Sequence, residues 1–375
     1  MKLRKDKWEV KKLGEVCEDI FAGGDVPKHS FSKIKTNKLN IPIFSNSEKN
    51  KGLYGYTNIK KVTKPSITIS ARGTIGYSEI REEKFYPVIR LIVVIPNSDV
   101  VDLFFLKFVI GNINFTSSGT SIPQLTVPMV KQYKIPLPPL KEQKNIAALF
   151  QSIENAMEQV DSQENNLLNL KNQLLRELFS EKKQFGNFLT TEDFEKVKFD
   201  KTALNISERV EPRETLLDTY VGLEHLDCDD LVIRRKGKPA DVIGTKLTIY
   251  KGDIIFGKRR AYLRKVAVAD FDGIVSAHSM VLRANEQNIE KDFLPYFMQS
   301  DEFMNRAVQI SEGSLSPTIK WKTLAQQEFV LPKKEKQAKL IDVFKQFDET
   351  RELVRKQKET LKSLKQKLLN DILGG

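Results

Sequence analysis

The stretch LPPLKEQKNIAALFQSIENAMEQVDSQENNLLNLKNQLLRELF, residues 137–179, occurs twice in this chain. A shift of 194 residues lays it without a gap over LPKKEKQAKLIDVFKQFDETRELVRKQKETLKSLKQKLLNDIL, residues 331–373. Leu137/Leu331, Pro138/Pro332, Gln143/Gln337, Phe150/Phe344, Val160/Val354, Gln163/Gln357 and Leu167/Leu361 are identical pairs. So are Leu170/Leu364, Lys171/Lys365, Leu174/Leu368 and Leu175/Leu369. The same offset places GTSIP (119–123) over GSLSP (313–317). An internal repeat of this length sets the architecture before any motif does.

Each copy reads as one long helix. Ile146, Phe150, Ile153, Met157, Val160, Leu167, Leu170, Leu174 and Leu178 recur at spacings of three and four with polar residues between them. Leu340, Phe344, Phe347, Val354, Leu361, Leu364, Leu368 and Ile372 do the same in the second copy. Such a narrow stripe is a coiled-coil seam, and the obvious cover for each stripe is the other. Pro138, Pro139 and Pro332 stand just ahead, where a missing amide proton costs a helix nothing. Glu164 and Lys358 share one seam position. Such a polar break either fixes the register or is avoided by side chains that snorkel outward. Arg351, Arg355 and Lys356 read as an exposed helix face, either partner-binding surface or solubilising charge.

Outside the helices, IPIFSNS (41–47), PSITISA (65–71) and YPVIRLIVVIPN (86–97) are β-branched runs bounded by turn residues, and residues 102–113 form a short helix pattern. The segment between the helices repeats this grammar. Residues 247–270 read as strands joined by a basic turn, 273–284 as a strand and 292–310 as a helix. The fold class is α+β: two mixed α/β globules and two long helices in an antiparallel coiled coil, with a pseudo-two-fold repeat. The boundaries fall at 1–139, 140–180, 181–332 and 333–375, and antiparallel pairing would set the globules at opposite ends of a rod.

Charge points to a partner. Residues 1–136 carry 22 Lys and Arg against 12 Asp and Glu, and the whole chain is +12. A basic excess suits either nucleic acid or a merely solvated lysine-rich surface. Two cysteines and three histidines speak against a structural zinc site and suit a cytoplasmic location. No apolar run is long enough to span a bilayer, and MKLRKDKWEV lacks the apolar core of a secretory signal.

The run PLPPLKEQ (136–143) at the head of the first helix resembles that of the specificity subunits of type I restriction-modification systems. Trp8, Glu9, Lys12–Val16 and the Ile20–Gly24 stretch resemble the usual opening of a first target-recognition domain. In the second copy the motif is degenerate, with KKEKQ (333–337) in place of PLKEQ. The resemblance implies that each globule is a target-recognition domain reading one half of a split, asymmetric DNA site. It implies double-stranded DNA as ligand and two modification (methyltransferase) subunits on the helices, with restriction or translocase subunits as optional further partners. It also implies no catalysis by this chain and no cofactor bound to it, S-adenosylmethionine belonging to the partner. The helix length would then set the gap between half-sites, with centres about one turn, roughly 10 bp, apart.

The residues allow sharper candidates for DNA contact. Lys258, Arg259, Arg260, Tyr262 and Arg264 crowd one turn, where arginine suits a bidentate contact to guanine; the bland alternative is an exposed basic hairpin. Arg72 and Thr74, in the glycine-bearing stretch 70–76, hold a comparable place in the first globule, or are only a turn. Ser45, Asn46, Tyr54, Tyr56 and His278 carry hydrogen-bonding groups that read base edges, or are ordinary loop residues. Ser118, Thr120, Ser121, Ser314, Ser316 and Lys320 lie in the loops before each helix copy, and either position phosphates or cap the following segment. The sequence holds neither GxxxxGK[ST] nor an Asn/Asp-Pro-Pro-Tyr/Phe pocket, as expected of a non-catalytic chain. The rival readings are an enzyme with unfamiliar motifs and a coiled-coil scaffold that binds proteins without sequence-specific DNA binding.

Overall fold

A computed structural model describes residues 5–115, 123–180, 185–186 and 188–374. The two long helices are Leu140–Leu178 and Lys334–Leu373. The chain divides into two units: residues 1–161 with 356–375, and residues 162–355. Each unit therefore holds one globule, the near half of one long helix and the far half of the other.

In the first unit Cys17–Ala22, Leu91–Pro96, Ser66–Ser70 and Ser78–Arg81 form an antiparallel sheet in that order. Ile67, Ile69, Val93 and Val94 are fully buried, which is why these runs read as almost continuously apolar rather than alternating. Leu53–Thr57, Ile41–Phe44 and Tyr86–Pro87 make a second sheet whose last pair is parallel. Glu9–Lys12 pairs with Lys134–Leu137, the strand that leads into the first long helix. Gly23 is needed where the chain leaves its sheet, because a Cβ there would lie 2.1 Å from the Val88 carbonyl oxygen.

The second unit repeats this plan with other residues. Ala203–Ile206, Met280–Ala284, Ile254–Phe256 and Val266–Val268 form one sheet. Arg209–Val210, Lys246–Ile249, Gly273–Val275 and Tyr220–Val221 form the other, again ending on a parallel pair. Phe194–Lys198 pairs with Glu328–Pro332 ahead of the second long helix. The repeat thus extends from the helices to the four-stranded sheet of each globule. The second sheets differ, three strands with Ile41–Phe44 central against four in which Gly273–Val275 takes the parallel and antiparallel partners.

Three runs expected as single elements are divided. Residues 86–97 split into Tyr86–Pro87 and Leu91–Pro96 because Arg90 turns the chain with φ +69°. Residues 273–284 supply strands to two different sheets. Residues 292–310 form two helices, Phe293–Gln299 and Asp301–Gln309, since Ser300 is extended and its hydroxyl accepts the Phe303 amide at 3.2 Å as an N-cap.

Within each unit the helix halves run antiparallel and their ends enter the globule's core. Ile146, Phe150 and Ile153 share a core with Leu369, Ile372 and Leu373 in the first unit. Leu175 and Leu178 share one with Leu340 and Phe344 in the second. Between these ends the seam differs from the expected apolar stripe. Leu170 and Leu364 are 47% and 44% exposed, whereas Lys171 is 1% exposed. Lys171 Nζ donates to Asp348 at 2.7 and 3.0 Å and lies 4.8 Å from the Tyr296 ring centroid. The repeat-related pair in the first unit is Lys365 donating to Glu154 at 2.6 Å. Glu164 is part-buried and pairs with Arg355, whereas Lys358 pairs with the half-exposed Asp161 at the edge of the seam. Arg351 is not on an exposed face but 4% exposed, 3.8 Å from both Glu164 and Asp348. Arg355 is half-buried against Glu164 and Asp230, which leaves Lys356 the exposed member of that trio.

The identical pair Gln143/Gln337 fastens each helix to its globule. Gln143 Oε1 accepts the Asp102 amide at 2.8 Å, while Nε2 donates to Pro138 O at 2.7 Å and Val100 O at 3.1 Å. Asp102 in turn caps the helix Leu103–Asn112 by accepting the Phe105 amide. Gln337 Oε1 accepts the Glu290 amide and Nε2 donates to Pro332 O, both at 2.8 Å. Both glutamines are essentially inaccessible, so every polar atom must be satisfied internally.

Candidate nucleic-acid interface

In the second unit, strands Ile254–Phe256 and Val266–Val268 bracket the basic turn, which the Gly257 amide closes onto Lys265 O at 2.9 Å. Arg260 and Arg264 adopt left-handed backbone, φ +57° and +52°, on either side of a short helical turn, Ala261–Leu263. Backbone hydrogen bonds stitch this turn to two other loops. The Arg259 amide donates to His278 O (3.3 Å), the Arg260 amide to Pro317 O (2.8 Å) and the Ile319 amide to Lys258 O (3.0 Å).

The side chains converge accordingly. Arg259 Nη1 donates to His278 Nε2 at 3.1 Å and Nη2 to Ser316 Oγ at 3.1 Å; Arg260 Nη2 reaches the same hydroxyl at 3.3 Å. Arginine has only donors, so Nε2 is the unprotonated ring nitrogen and Nδ1 carries the proton. Burial, then Arg259, Lys258 and Lys246, push the His278 pKa down, which keeps the ring neutral. Burial and the neighbouring Arg209 likewise lower that of Lys258. The result is a preorganised cluster of guanidinium donors with one hydroxyl and one neutral imidazole, suited to phosphate oxygens or a guanine edge.

Other candidates on this turn are placed differently. Arg264 is turned inward, its Nε 2.8 Å from Asp229, its Nη1 2.9 Å from Asp301 and its Nη2 on Gln299 O, so it braces the turn. Lys320 pairs with Glu312 at 2.6 Å, and Tyr262 and Ser314 are exposed beside the cluster.

In the first unit Asn46 and Arg72 meet. Asn46 Nδ2 donates to Arg72 O at 2.7 Å, and the buried Ser70 hydroxyl lies 3.0 and 3.1 Å from Asn46 O and Arg72 O. Thr74 is exposed on the same turn, and the Arg90 carbonyl accepts the Ala71 amide beside it. Ser45 is spent on Gly52 O. Tyr54 belongs with Phe31 and Lys33 instead, the Lys33 ammonium lying 3.7 Å from its ring centroid, while the Tyr56 backbone pairs with Ser32. Ser118, Thr120 and Ser121 lie outside the described residues. Sequence reading did not single out three cations beside these groups, Arg209, Lys33 and Arg90, while Lys246 is buried with its ammonium on Ile243 O and Gly244 O. The interleaving of lysine with aromatics in 28–33 was a usable signal for Lys33, whereas the left-handed Arg90 carries none.

Two globules built on a common four-stranded sheet, each fastened through a buried glutamine to a long helix and each offering polar loops with arginine, define a tandem-repeat protein of the globule–helix class. Residues 5–170 and 239–363 match the family described as type I restriction modification DNA specificity domain, and the chain belongs to that family. A Mycoplasma pneumoniae protein named as a type I specificity subunit is 38% identical over 146 residues, 39% of this chain and 43% of its own length. The type I restriction enzyme MjaVIII specificity subunit of Methanocaldococcus jannaschii is 26% identical over 282 residues, 69% of this chain and 65% of its own. This chain spans about two-fifths of the length of the M. pneumoniae relative. The crystal structure of the type I restriction-modification S subunit from M. genitalium has the same fold, with TM-score 0.60 at 16% identity over 100% of this chain and 98% of that one. Among the described residues no helix is long and apolar enough to cross a membrane.

Proposed function

We propose that this chain is the DNA sequence-specificity subunit of a type I restriction-modification complex, reading a bipartite, asymmetric site with its two globules. The observation that carries this reading is the Arg259–His278–Ser316–Arg260 cluster, built by three loops in a unit whose plan is repeated with different residues in the other. Different loops on one plan suit different half-sites. The loops supply phosphate attraction and base contacts, Asn46, Arg72 and Thr74 in the first unit and Arg259, Arg260 and His278 in the second. The chain itself is non-catalytic. Partner methyltransferase subunits hold S-adenosylmethionine and methylate adenine, a restriction subunit joins where one is made, and the complex works in the cytoplasm.

Methylation mapping tests this. The chain is expressed with its neighbouring methyltransferase in a methylation-free host, and modified bases are sequenced genome-wide. The expected result is a single split motif with N6-methyladenine in each half, lost when the loops of either unit are replaced. A continuous motif, or none with an active partner present, would favour a protein-binding scaffold instead.

A further inference from the structure

Beside the basic cluster stands a side chain that neither the fold nor the cluster uses. Leu315 is 91% exposed, at the tip of the loop 312–318. The loop is closed at its base, where Glu312 and Thr318 exchange amide-to-carbonyl hydrogen bonds at 3.0 and 2.9 Å. Gly313 turns it with φ +103°, and the Thr318 hydroxyl donates to Ser316 O at 3.1 Å. Hydrogen bonds to Lys258 O and from the Arg260 amide hold the same segment against the basic turn. The tip is therefore fixed, and it presents an aliphatic side chain to water one residue from the hydroxyl that both guanidiniums share.

An apolar side chain on a fixed polar tip gains no burial in the free protein, so its use lies in what the flanking cations attract. Arginines that draw in a polyanion, with a rigid aliphatic group beside them, are the elements from which proteins build wedges that unstack adjacent base pairs. We infer that Leu315 is such a wedge, entering a base step of the half-site read by the second unit and making that step's deformability a component of the sequence read. The inference rests on the DNA-reading function proposed above.

The test uses the full-length chain, unmodified or variant, always assembled with its neighbouring methyltransferase. Duplexes are selected from a random pool by the unmodified chain, and the selected sequence is rebuilt with 2-aminopurine at successive positions. Binding should raise the fluorescence at one step, and Leu315→Ala should abolish that rise and weaken binding to the selected duplex at least about 10-fold. Affinity for random duplex should stay within about twofold, since the cations remain. Leu315→Ala that binds the selected duplex like the unmodified chain, while Arg259→Ala does not, overturns the wedge and leaves DNA reading intact. Loss of affinity on replacing a thymine by uracil, without a fluorescence rise, also overturns it, in favour of a methyl contact. Failure of the unmodified chain to enrich any sequence removes the function and the wedge together.

Discussion

Replacing Gln143 by leucine should loosen the first globule from its helix at a cost that can be worked from three distances. The side chain satisfies the Asp102 amide at 2.8 Å and the Val100 and Pro138 carbonyls at 3.1 and 2.7 Å, and it is fully buried. Leucine fills much the same volume, so little cavity term arises, but the three backbone groups lose their partner. A buried group left unsatisfied costs about 1–3 kcal/mol, and neighbouring losses are not additive, which gives about 3–5 kcal/mol in all. The equivalent Gln337→Leu strands two groups, at 2.8 Å each, and should cost about 2–3 kcal/mol. At this domain size each kcal/mol moves Tm by roughly 2–4 °C, so Gln143→Leu should lower the first unit's transition by about 10 °C. The chain's two tryptophans, Trp8 and Trp321, fall one in each unit. Fluorescence melts in Trp321→Phe and Trp8→Phe backgrounds therefore follow each unit separately. A Trp8-reported transition that moves by less than about 3 °C would refute the idea that Gln143 fastens helix to globule. So would a larger loss from Gln337→Leu than from Gln143→Leu.

Asp348→Ala strands the buried Lys171 ammonium and should destabilise the second unit by about 3–5 kcal/mol, whereas Lys171→Met with Asp348→Leu should be near neutral; denaturant melts decide. Burial raises the pKa of Asp230, but Arg355, the Val232 amide and Arg234 outweigh it and hold it below the ordinary carboxylate range; Lys365 and Lys107 do the same for Glu154. Both groups thus bind a proton less tightly folded than unfolded. Their stabilisation is complete above the unfolded carboxylate range, about pH 4, and is lost as pH falls through the folded values, so Asp230→Asn should flatten the acid limb of stability against pH. Arg264→Ala should cost about 1–3 kcal/mol of stability, because the part-buried Asp229 loses its partner and the half-exposed Asp301 is left with Arg176. It should change DNA affinity less than Arg260→Ala does. A gel-shift series in which Arg264→Ala weakens binding more, at unchanged stability, would reverse the assignment of bracing to Arg264.

The repeat, the two long helices, the strand runs and the basic turn were all legible in the sequence, because periodicity and turn chemistry are local properties. A three-and-four spacing marks a helix whatever it packs on, and glycine beside clustered arginines marks a turn whatever surrounds it. Which residues the seam buries was not legible. Leu170 and Lys171 are neighbours, the repeat preserves both, and hydropathy favours the leucine. Only the presence of Asp348 and Tyr296 opposite makes burial of the lysine tolerable, and their nearness is a fact of the folded chain. The basic turn shows the same division. Arg259, Arg260 and Arg264 are equivalent as letters, yet Asp229 and Asp301 draw one inward while Ser316 and His278 hold the other two at the surface. Charge pairing is decided between segments far apart in sequence, so tertiary structure alone separates the arginine that braces from those left at the surface.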